Sequence, residues 1–474
     1  MAPDEARRAA LLAELGSIVG SGYVIAAGDD LLLRASDRTR RWPPAPLAAV
    51  LPRTSAEVQA IVQLANRERI AIVPSGGRTG LSGGAVAARG ELVLALDRMN
   101  RIGAVNTQDA TLRCEAGAVT AQVQAAAQAA GLHYPVDFAA AGSSQIGGNI
   151  ATNAGGIRVL RHGMTRDQVL GLEVVTGAGE LLQLGHGLVK DNAGYDLRQL
   201  FVGSEGTLGV ICAATLRLIA PPPPAAALLL GAPSLAALPA VLEAFRRQSR
   251  LAACEFFAEA ALARVVARQG LARPFPATPC YLLLEVESDP DESLEVFDAL
   301  RAAGLVSEGV QAENEAQRRE LWRLREDISD TLAPWQPHKS DIAVRSTCLP
   351  DFIARAEALF AQHFPEVEVV WFGHLGDGNI HINALKPAAW SAERFQALGA
   401  AIGAAIGALV QEFGGSISAE HGIGLLRKDL LAHSRSAAEI RLMRALKAVF
   451  DPNGILNPGK IFDPAPSPSG TPTP

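Results

Sequence analysis

The fold is decided by PSGGRTGLSGG at residues 74–84 and GSSQIGGNIATNAGG at residues 142–156. Glycine has no Cβ, so runs of it let the backbone turn sharply and let its amides approach a ligand closely. Successive amides of this kind form concave anion sites that suit a pyrophosphate. A single loop of this kind would indicate an ordinary turn. Two long glycine-rich loops with almost no charge are poorly explained as turns alone. The pair therefore predicts a site for a pyrophosphate-bearing cofactor.

The residues around these loops favour an α+β fold. Thr54 and Glu57 give a capping-box pattern at the start of a helix over residues 54–69, and a short apolar strand follows at 70–73. Gly-Ala-Gly at 177–179 lies between two apolar runs and predicts a hairpin. The chain contains neither G-x-G-x-x-G nor G-x-x-x-x-G-K-[ST]. Their absence disfavours a nicotinamide-dependent Rossmann enzyme and a nucleoside triphosphatase.

The composition is that of a large globular chain. Its length of 474 residues predicts two or three domains. The residues are 49% hydrophobic and 19% charged, with a formal net charge of -6, and this composition argues against a disordered or fibrous protein. Lys and Arg are not clustered, so no nucleic-acid partner is expected. The five cysteines contain no C-x-x-C pair and indicate free thiols in a reducing compartment. Since we recognise neither a secretory signal nor a membrane-spanning run, we expect a cytoplasmic location.

Four consecutive prolines at 221–224 mark the expected domain boundary, because such a run is stiff and cannot pair inside a sheet. They separate a first domain at 1–220 from a second domain at 221–462. A last helix is predicted from a capping box at Ser436. The proline-rich tail at 463–474 is expected to be disordered.

The glycine-rich segments, RHGMTRDQVLGLEVV (161–175) and GYDLRQLFVGSEGTLGVI (194–211) resemble the FAD-binding domain of the vanillyl-alcohol oxidase flavoprotein superfamily. In that family two small α+β subdomains hold an extended FAD, and the glycine-rich segments wrap its pyrophosphate. Some members attach the flavin through a histidine in the first loop; this loop has none, so non-covalent FAD is expected. The resemblance implies FAD contacts at Pro74, Ser75, Gly76, Gly77, Thr79, Gly80, Leu81, Gly142, Ser143, Ile146, Gly147, Gly148, Asn149, Thr152, Asn153, Gly156 and Ile211.

A second informative stretch runs from His374 to His381 and reads HLGDGNIH. Turn-forming residues join two apolar runs there, so the sequence predicts a tight hairpin with the two imidazoles side by side. A histidine pair in a hairpin is usually structural. Three of the nine histidines, however, lie here and in Glu420-His421. Two histidines and a carboxylate with an open position form a known catalytic metal arrangement, so this concentration favours a metal site.

HLGDGNIHIN (374–383), SISAEHGIGLLRKD (416–429) and FDPNGILNPGKIF (450–462) resemble the C-terminal domain of FAD-linked D-lactate and D-2-hydroxyglutarate dehydrogenases. The middle segment is closer to the second type. That family binds zinc through two histidines and a glutamate, and the histidine beside the glutamate is the base. The resemblance implies that His374, His381 and Glu420 bind a divalent metal, with Zn2+ expected. It also implies His421 as the general base and Asn457 near the flavin.

The substrate of such an enzyme is an anion, so its pocket needs cations. LWRLREDISDTL (321–332) and HKSDIAV (338–344) resemble the family segment that supplies an arginine, a hydroxyl and a lysine. Arg345 stands where relatives commonly have proline, and it could be a solvent-exposed residue or a second clamp on a carboxylate. The substrate-binding residues implied or suggested are Arg325, Ser329, Lys339, Asn383 and Arg345.

The sequence as a whole predicts an α+β protein. We expect a two-subdomain FAD-binding domain of vanillyl-alcohol oxidase type and an α/β substrate domain with an antiparallel sheet and C-terminal helices. The last part of the chain is expected to return to the flavin. The expected reaction is oxidation of a D-2-hydroxy acid to the 2-keto acid with hydride transfer to FAD. D-2-hydroxyglutarate is the first choice, with D-lactate or D-malate as alternatives.

Two further function classes stay open at this point. A zinc hydrolase would explain the histidines and would be colourless after purification. A non-catalytic flavoprotein subunit would be yellow but would not be bleached by any hydroxy acid. For a dehydrogenase, the expected electron acceptor is an electron-transfer flavoprotein or a quinone, and a homodimer is left open.

Overall fold

The computed structural model describes residues 5–287 and 290–463. The tail that we expected to be disordered lies outside the described residues from position 464 onward. The chain divides into two compact units, and each is built from separate pieces of sequence. The first unit comprises Met1–Gly156, Met164–Pro221 and Glu420–Pro474, and the second comprises Ile157–Gly163 and Pro222–Ala419.

The first unit contains two sheets. A four-stranded sheet has the order β1-β2-β4-β3, and a five-stranded antiparallel sheet has the order β5-β6-β9-β7-β8. Strands β2, β4 and β3 run parallel, and β1 is antiparallel to β2. The strands are β1 (Val24–Ile25), β2 (Ala48–Val50), β3 (Ile72–Ser75), β4 (Leu92–Ala95), β5 (Ile102–Asn106), β6 (Thr111–Glu115), β7 (Val169–Thr176), β8 (Leu181–Leu184) and β9 (Gly209–Arg217).

The second unit is built on one seven-stranded antiparallel sheet with the order β13-β10-β12-β11-β15-β16-β14. Its β11 and β12 are apolar almost throughout and pair at the centre of the sheet. The strands are β10 (Ala226–Ala232), β11 (Leu251–Ala258), β12 (Cys280–Val286), β13 (Glu308–Gln311), β14 (His338–Ala343), β15 (Val369–His374) and β16 (Asn379–Ala384).

The helices are numbered along the chain. Those of the first unit are α1 (Glu5–Val19), α2 (Asp29–Arg34), α3 (Ser55–Glu68), α4 (Thr120–Ala129), α5 (Ile146–Thr152), α7 (Thr165–Gln168), α8 (Arg198–Phe201) and α16 (Ala437–Phe450). Those of the second unit are α6 (Val159–His162), α9 (Leu238–Gln248), α10 (Glu259–Gln269), α11 (Pro290–Ala302), α12 (Glu315–Glu326), α13 (Ile328–Leu332), α14 (Leu349–His363) and α15 (Ala392–Glu412). Short 3-10 turns lie at Ser21–Tyr23, Leu235–Ala237, Ala333–Trp335, Ser346–Cys348 and Lys428–His433.

Local sequence signals set several of these boundaries. Thr54 caps α3 by accepting a hydrogen bond from the Glu57 N–H, while the Glu57 carboxylate accepts from the Arg53 N–H rather than closing the predicted box on Thr54. At the start of α16 the predicted capping box is complete: Ser436 and Glu439 bond reciprocally. Satisfying these end groups stabilises a helix by roughly 1 kcal/mol per cap. The predicted hairpin at 177–179 is also confirmed, since β7 pairs with β8 there.

One hydrophobic core in the first unit joins both of its sheets. Leu92 and Leu94 of β4, Val174 of β7 and Ile61 of α3 are among its fully buried members. Each such side chain stabilises the fold by roughly 1.5–3 kcal/mol through its removal from water. The third piece of sequence joins this unit at the edge of β3, where the Ile72 N–H donates to the Ile455 carbonyl and the Asn457 N–H donates to the Ile72 carbonyl, both at 2.7 Å.

Helix α15 is long and apolar enough to cross a bilayer by length and by its mean hydropathy of 1.3. Its buried residues Phe395, Ile402, Ile406 and Val410 recur four or seven positions apart and form one covered face. The backbone of Gly399 lies so close to strand β14 that an added Cβ would be 2.9 Å from the His338 ring. A buried face of this kind is typical of a helix packed in a protein core. The length and hydropathy of α15 are therefore weak evidence for a membrane span.

Candidate active site

The two glycine-rich segments line one cavity of about 310 Å³ within the first unit. This volume lies in the range of ligand pockets, which is on the order of 300–1,000 Å³. The first segment enters the cavity directly after β3, and the second enters it as α5. The expected FAD contacts that line it are Pro74, Ser75, Gly76, Gly77, Thr79, Gly80, Leu81, Gly147, Gly148, Asn149, Thr152 and Ile211.

The glycines of this cavity have two different roles. At Gly77 a Cβ would overlap the Ser143 carbonyl oxygen, and at Gly147 it would lie 2.6 Å from the Ala116 Cβ. These two glycines let the protein segments pack on one another. A Cβ on Gly80 or Gly148 would meet no described protein atom within 4 Å. These two therefore leave the backbone open to a ligand, as the sequence pattern suggested.

Six of the residues expected to contact FAD do not line the cavity. Ile146 is fully buried in the core, and Asn153 caps α5 in a left-handed conformation with φ +49°. Asn457 is buried, and its amide donates to the Gly84 carbonyl at 2.9 Å and to the Glu205 carbonyl at 2.7 Å. Asn457 thereby holds the backbone of two residues that line the cavity. The remaining three are Gly142, Ser143 and Gly156.

The cavity also has lining residues that the sequence did not single out. They include Ser82, Phe138, Gln145 and Glu205. Glu205 lies inside the quoted GSEGTLG motif, where a carboxylate among small residues was the available signal. The Gln145 Oε1 is buried and has no hydrogen-bond partner among the described residues. A buried polar atom of this kind calls for a partner, which a bound cofactor would supply.

These observations fit FAD. The cavity combines an apolar interior with backbone that a ligand can approach, and it holds an unsatisfied acceptor. Glu420 and His421 line it as well, and the Glu420 Oε1 is 3.6 Å from the His421 Nε2. The expected base and the expected flavin site thus belong to the same unit.

In the second unit, strand pairing collects polar residues on one face of the sheet. Directly paired residues of antiparallel strands point to the same side. Glu255 of β11 pairs with His374 of β15, and His381 of β16 pairs with Asp341 of β14. The face built in this way carries Glu255, His374, Asn379, His381, Asp341, Asn383 and Lys339.

The predicted histidine hairpin is confirmed by the pairing of β15 with β16. The ring centroids of His374 and His381 are 5.2 Å apart. The His374 Nδ1 is 2.7 Å from a Glu255 carboxylate oxygen, and the His381 Nδ1 is 3.5 Å from the Asp341 Oδ1. Each imidazole therefore turns its Nδ1 toward a buried carboxylate, which fixes the ring and directs its Nε2 away from that partner.

Burial and charge set the ionisation of this cluster. Burial lowers the pKa of His381 to about 4 against the opposing effect of Asp341, so the ring is neutral near pH 7. Burial acts to raise the pKa of Glu255, but His374 and Arg325 outweigh it and lower that pKa below its ordinary value. A neutral imidazole backed by a carboxylate, as at His381, is the form that binds divalent metals, so the donor set fits an ion such as zinc.

The expected substrate residues of the second unit differ in exposure. Arg325 is buried on α12, where its guanidinium lies 2.7 Å from Glu255 and stacks 4.8 Å from the Phe372 ring centroid. Asn383 is buried, and its Oδ1 has no partner among the described residues. Ser329 is half-buried on α13, whereas Lys339 and Arg345 are exposed.

Glu255 and Asp341 are functional candidates that the sequence did not reveal as such. Glu255 is the one charged residue in the strand LAACEFFA, and a carboxylate is rarely buried unless it is paired. A single carboxylate within an otherwise apolar strand was therefore the sequence signal that could have identified Glu255 as a functional candidate. Asp341 lies in the quoted HKSDIAV segment, but its contact with His381 depends on a pairing of strands about forty residues apart.

Two family models match the chain: an FAD binding domain over residues 46–185 and the C-terminal domain of FAD linked oxidases over residues 221–461. A D-2-hydroxyglutarate dehydrogenase of Stutzerimonas stutzeri (strain A1501) is 50% identical over 458 residues, which cover 96% of this chain and 99% of that protein. A D-2-hydroxyglutarate dehydrogenase of Xanthomonas citri pv. viticola is 51% identical over 448 residues, covering 94% and 95%.

A crystal structure of p-cresol methylhydroxylase with substrate bound is similar in fold, with a TM-score of 0.76 at 16% identity over 97% of this chain and 98% of that one. At this identity the likeness shows the fold alone. Together with the matched family models it confirms the expected FAD-binding fold with antiparallel sheets. The two matched family models support FAD as the cofactor.

Proposed function

Because the chain belongs to the family of FAD-linked oxidases, and within it resembles D-2-hydroxyglutarate dehydrogenases along nearly its whole length, we propose that it oxidises D-2-hydroxyglutarate to the 2-keto acid. One observation carries this proposal: His421 and both glycine-rich segments line the same cavity. A general base has to lie beside the site at which the electrons are collected, since the proton and the hydride leave neighbouring atoms of the substrate.

In the proposed reaction, His421 takes the proton of the 2-hydroxyl group at a ring nitrogen. Histidine suits this step because its ordinary pKa lies near neutral pH. When bound, FAD supplies the acceptor for the C2 hydride. The residues that line the cavity hold the cofactor without a covalent bond and exclude water from the transfer.

We assign a divalent metal to His374 and His381 through their Nε2 atoms. The support for this assignment is the buried carboxylate that lies behind each ring, at 2.7 Å from the His374 Nδ1 and at 3.5 Å from the His381 Nδ1. The third ligand of the proposal is Glu420, which the sequence resemblance implied. A divalent ion, when bound, supplies the positive charge that makes a hydroxyl group easier to deprotonate.

The substrate carboxylates need cations and donors from the second unit. Arg325 is the buried candidate; since it already faces Glu255, it would share its guanidinium between that residue and the acid. The Asn383 amide and the Lys339 ammonium lie on the same sheet face, because these two residues are directly paired. Together with Ser329 and Arg345 they form the proposed substrate contacts.

The partners and location are also proposed. We propose an electron-transfer flavoprotein or a quinone as the electron acceptor, on the sequence resemblance, and a cytoplasmic location. All five cysteines of the chain are free thiols, and four of them are buried, which suits a reducing compartment.

The decisive experiment is anaerobic bleaching of the purified yellow protein by D- and L-2-hydroxyglutarate, D-lactate and D-malate. We expect rapid loss of flavin absorbance with D-2-hydroxyglutarate, slower loss with the other D-acids, and none with the L-isomer. Faster bleaching by D-lactate would transfer the proposal to that acid. A colourless protein that binds no FAD would contradict the proposed function.

His421→Ala tests the base directly. General-base catalysis contributes on the order of 10²–10⁴-fold, so the variant should lose at least about 100-fold in the rate of flavin reduction by substrate. Its FAD content and its reduction by dithionite should match the parent protein. An unchanged rate with substrate would exclude His421 as the base.

A further inference from the structure

Glu205 connects the flavin cavity to the segment that follows His421. Its two carboxylate oxygens accept hydrogen bonds from the Ile423 N–H at 2.7 Å and from the Gly424 N–H at 2.8 Å. Both donors lie within three residues of the proposed base, in the same unit. Glu205 also lines the cavity and is only 8% exposed.

The backbone of Glu205 is tied to the flavin-binding elements on its other side. Its N–H donates to the Ala151 carbonyl of α5 at 2.7 Å, and its carbonyl accepts from the Asn457 amide at 2.7 Å. Glu205 has φ +51°, a backbone conformation that is uncommon for residues other than glycine and asparagine. Such conformations persist only where the surroundings hold them, and they cluster at functional sites.

The segment after His421 is shaped to receive this carboxylate. Gly422 has φ +78°, and a Cβ on it would lie 3.0 Å from the Glu205 carboxyl carbon. Gly424 has φ +50°, and a Cβ on it would overlap the Ser82 carbonyl oxygen, which also accepts the N–H groups of Leu425 and Leu426. The segment is thus held by Glu205 and by the first glycine-rich loop.

We propose that Glu205 is a positioning residue that fixes His421 against the flavin cavity and so couples cofactor binding to the alignment of the base. This inference rests on the proposed function of His421 and goes beyond it. Glu205 does not touch the reacting atoms in this scheme. Its effect passes through two backbone N–H groups to the turn that carries the base.

The test compares Glu205→Gln with Glu115→Gln in the holoenzyme. Glu115 is the matched control, because it is a buried carboxylate of the same unit that accepts the Arg101 N–H at 2.8 Å but does not line the cavity. The amide of Glu205→Gln can accept only through its oxygen, so one of the two N–H donors loses its acceptor.

We expect Glu205→Gln to slow the limiting rate of anaerobic flavin reduction by about 10–100-fold, since a misplacement near 1 Å can cost that much. The substrate concentration at half-saturation should change less than about threefold. Hydrogen exchange at the amides of residues 422–424 should become faster. Glu115→Gln should leave the reduction rate and this exchange unchanged.

A double-mutant cycle separates positioning from a general structural effect. In a His421→Ala background there is no base to align, so Glu205→Gln should slow flavin reduction no further. An equal slowing in both backgrounds would overturn the inference, as would faster exchange with an unchanged rate. If His421→Ala alone has no effect, the proposed base and this inference fail together. If His421→Ala is slow but Glu205→Gln is normal, only the inference fails.

Gly422→Ala approaches the same contact from the other side and covers the case in which Glu205→Gln does not retain FAD. Its added Cβ presses on the Glu205 carboxyl group and strains a left-handed residue. We expect a reduced rate with little change in half-saturation, as for Glu205→Gln. A normal rate in a folded, FAD-bound Gly422→Ala protein would contradict the inference.

Discussion

Glu255 supports the polar cluster of the second unit, because it faces both His374 and Arg325 from a central strand. Carboxylates that hold a metal-binding histidine typically change metal affinity by about 10–100-fold when they are removed. We expect Glu255→Gln to weaken metal binding by this factor and to lower kcat/KM. Metal content after dialysis against graded chelator concentrations measures the first effect, and steady-state kinetics measure the second.

Glu285 provides the control for this experiment. It is equally buried on the neighbouring strand β12 and is paired with Arg158 and Arg318, away from both histidines. Glu285→Gln should lower thermal stability to a similar extent without weakening metal binding. Equal losses of metal in the two variants would show that Glu255 contributes only to the stability of the unit.

Arg345, which the sequence suggested as a second clamp on a carboxylate, is exposed two residues after the end of β14. D-2-hydroxyglutarate carries a second carboxylate that D-lactate lacks, so a second clamp would act on the former alone. Arg345→Ala should raise KM for D-2-hydroxyglutarate by about 10-fold and leave D-lactate oxidation nearly unchanged. Arg319→Ala, another exposed arginine on the same unit, is the control. An unchanged KM for both acids would assign Arg345 to the solvent, and a parallel rise for both would exclude it as a clamp on the second carboxylate alone.

At the scale of single elements, the hairpin of β15 and β16 brings the two histidines together, and its turn depends on Gly378. This residue has φ +77°, and a Cβ on it would overlap the Val344 carbonyl oxygen. Gly378→Ala should therefore displace the hairpin, lower the melting temperature and weaken metal binding. Gly304→Ala, with φ +70° and open space around it, should cost only left-handed strain of roughly 1–2 kcal/mol. Metal retention in Gly378→Ala equal to that of the control would contradict this role.

The same scale shows what could be predicted from sequence. The capping box of α16, the hairpin at 177–179 and the histidine hairpin are all encoded within a few neighbouring residues, and each was predicted correctly. At α3 the Thr54 cap was predicted correctly, but the second half of its box was not, because the Glu57 carboxylate accepts from the Arg53 N–H. The partners of those elements were not predictable. Glu255 meets His374 only because β11 pairs with β15, more than one hundred residues apart, and no local pattern specifies that pairing. Likewise, the glycine-rich loops predicted a cavity but not the glutamate that links it to the base.

At the scale of the whole molecule, flavin and metal are assigned to different side chains, so their removal should have separable effects. Chelation should abolish flavin bleaching by D-2-hydroxyglutarate, while the visible flavin spectrum and reduction by dithionite persist. Added Zn2+ should restore bleaching. Full activity in a protein shown to be metal-free would end the metal proposal and leave the flavin assignment intact.

The proline run marks a place where the chain changes unit, but local sequence could not show that the units exchange pieces. Residues 157–163 belong with the second unit, where Arg161 pairs with Glu287 at 3.0 Å. The piece from Glu420 onward belongs with the first unit. Membership of a unit depends on such distant contacts, which composition and periodicity do not encode.

The return of the last piece to the edge of β3 has a consequence for biosynthesis. Ile72 forms backbone hydrogen bonds with Ile455 and Asn457, so that edge stays open until the ribosome has passed residue 457. At about 5–20 residues per second, the interval between the end of β3 at residue 75 and residue 456 lasts roughly 20–75 s. During this time the nascent chain exposes an unpaired strand edge, and such an edge can pair with other polypeptide chains and lead to aggregation. We expect a cell that makes this protein to shield that edge until residues 455–457 have been synthesised.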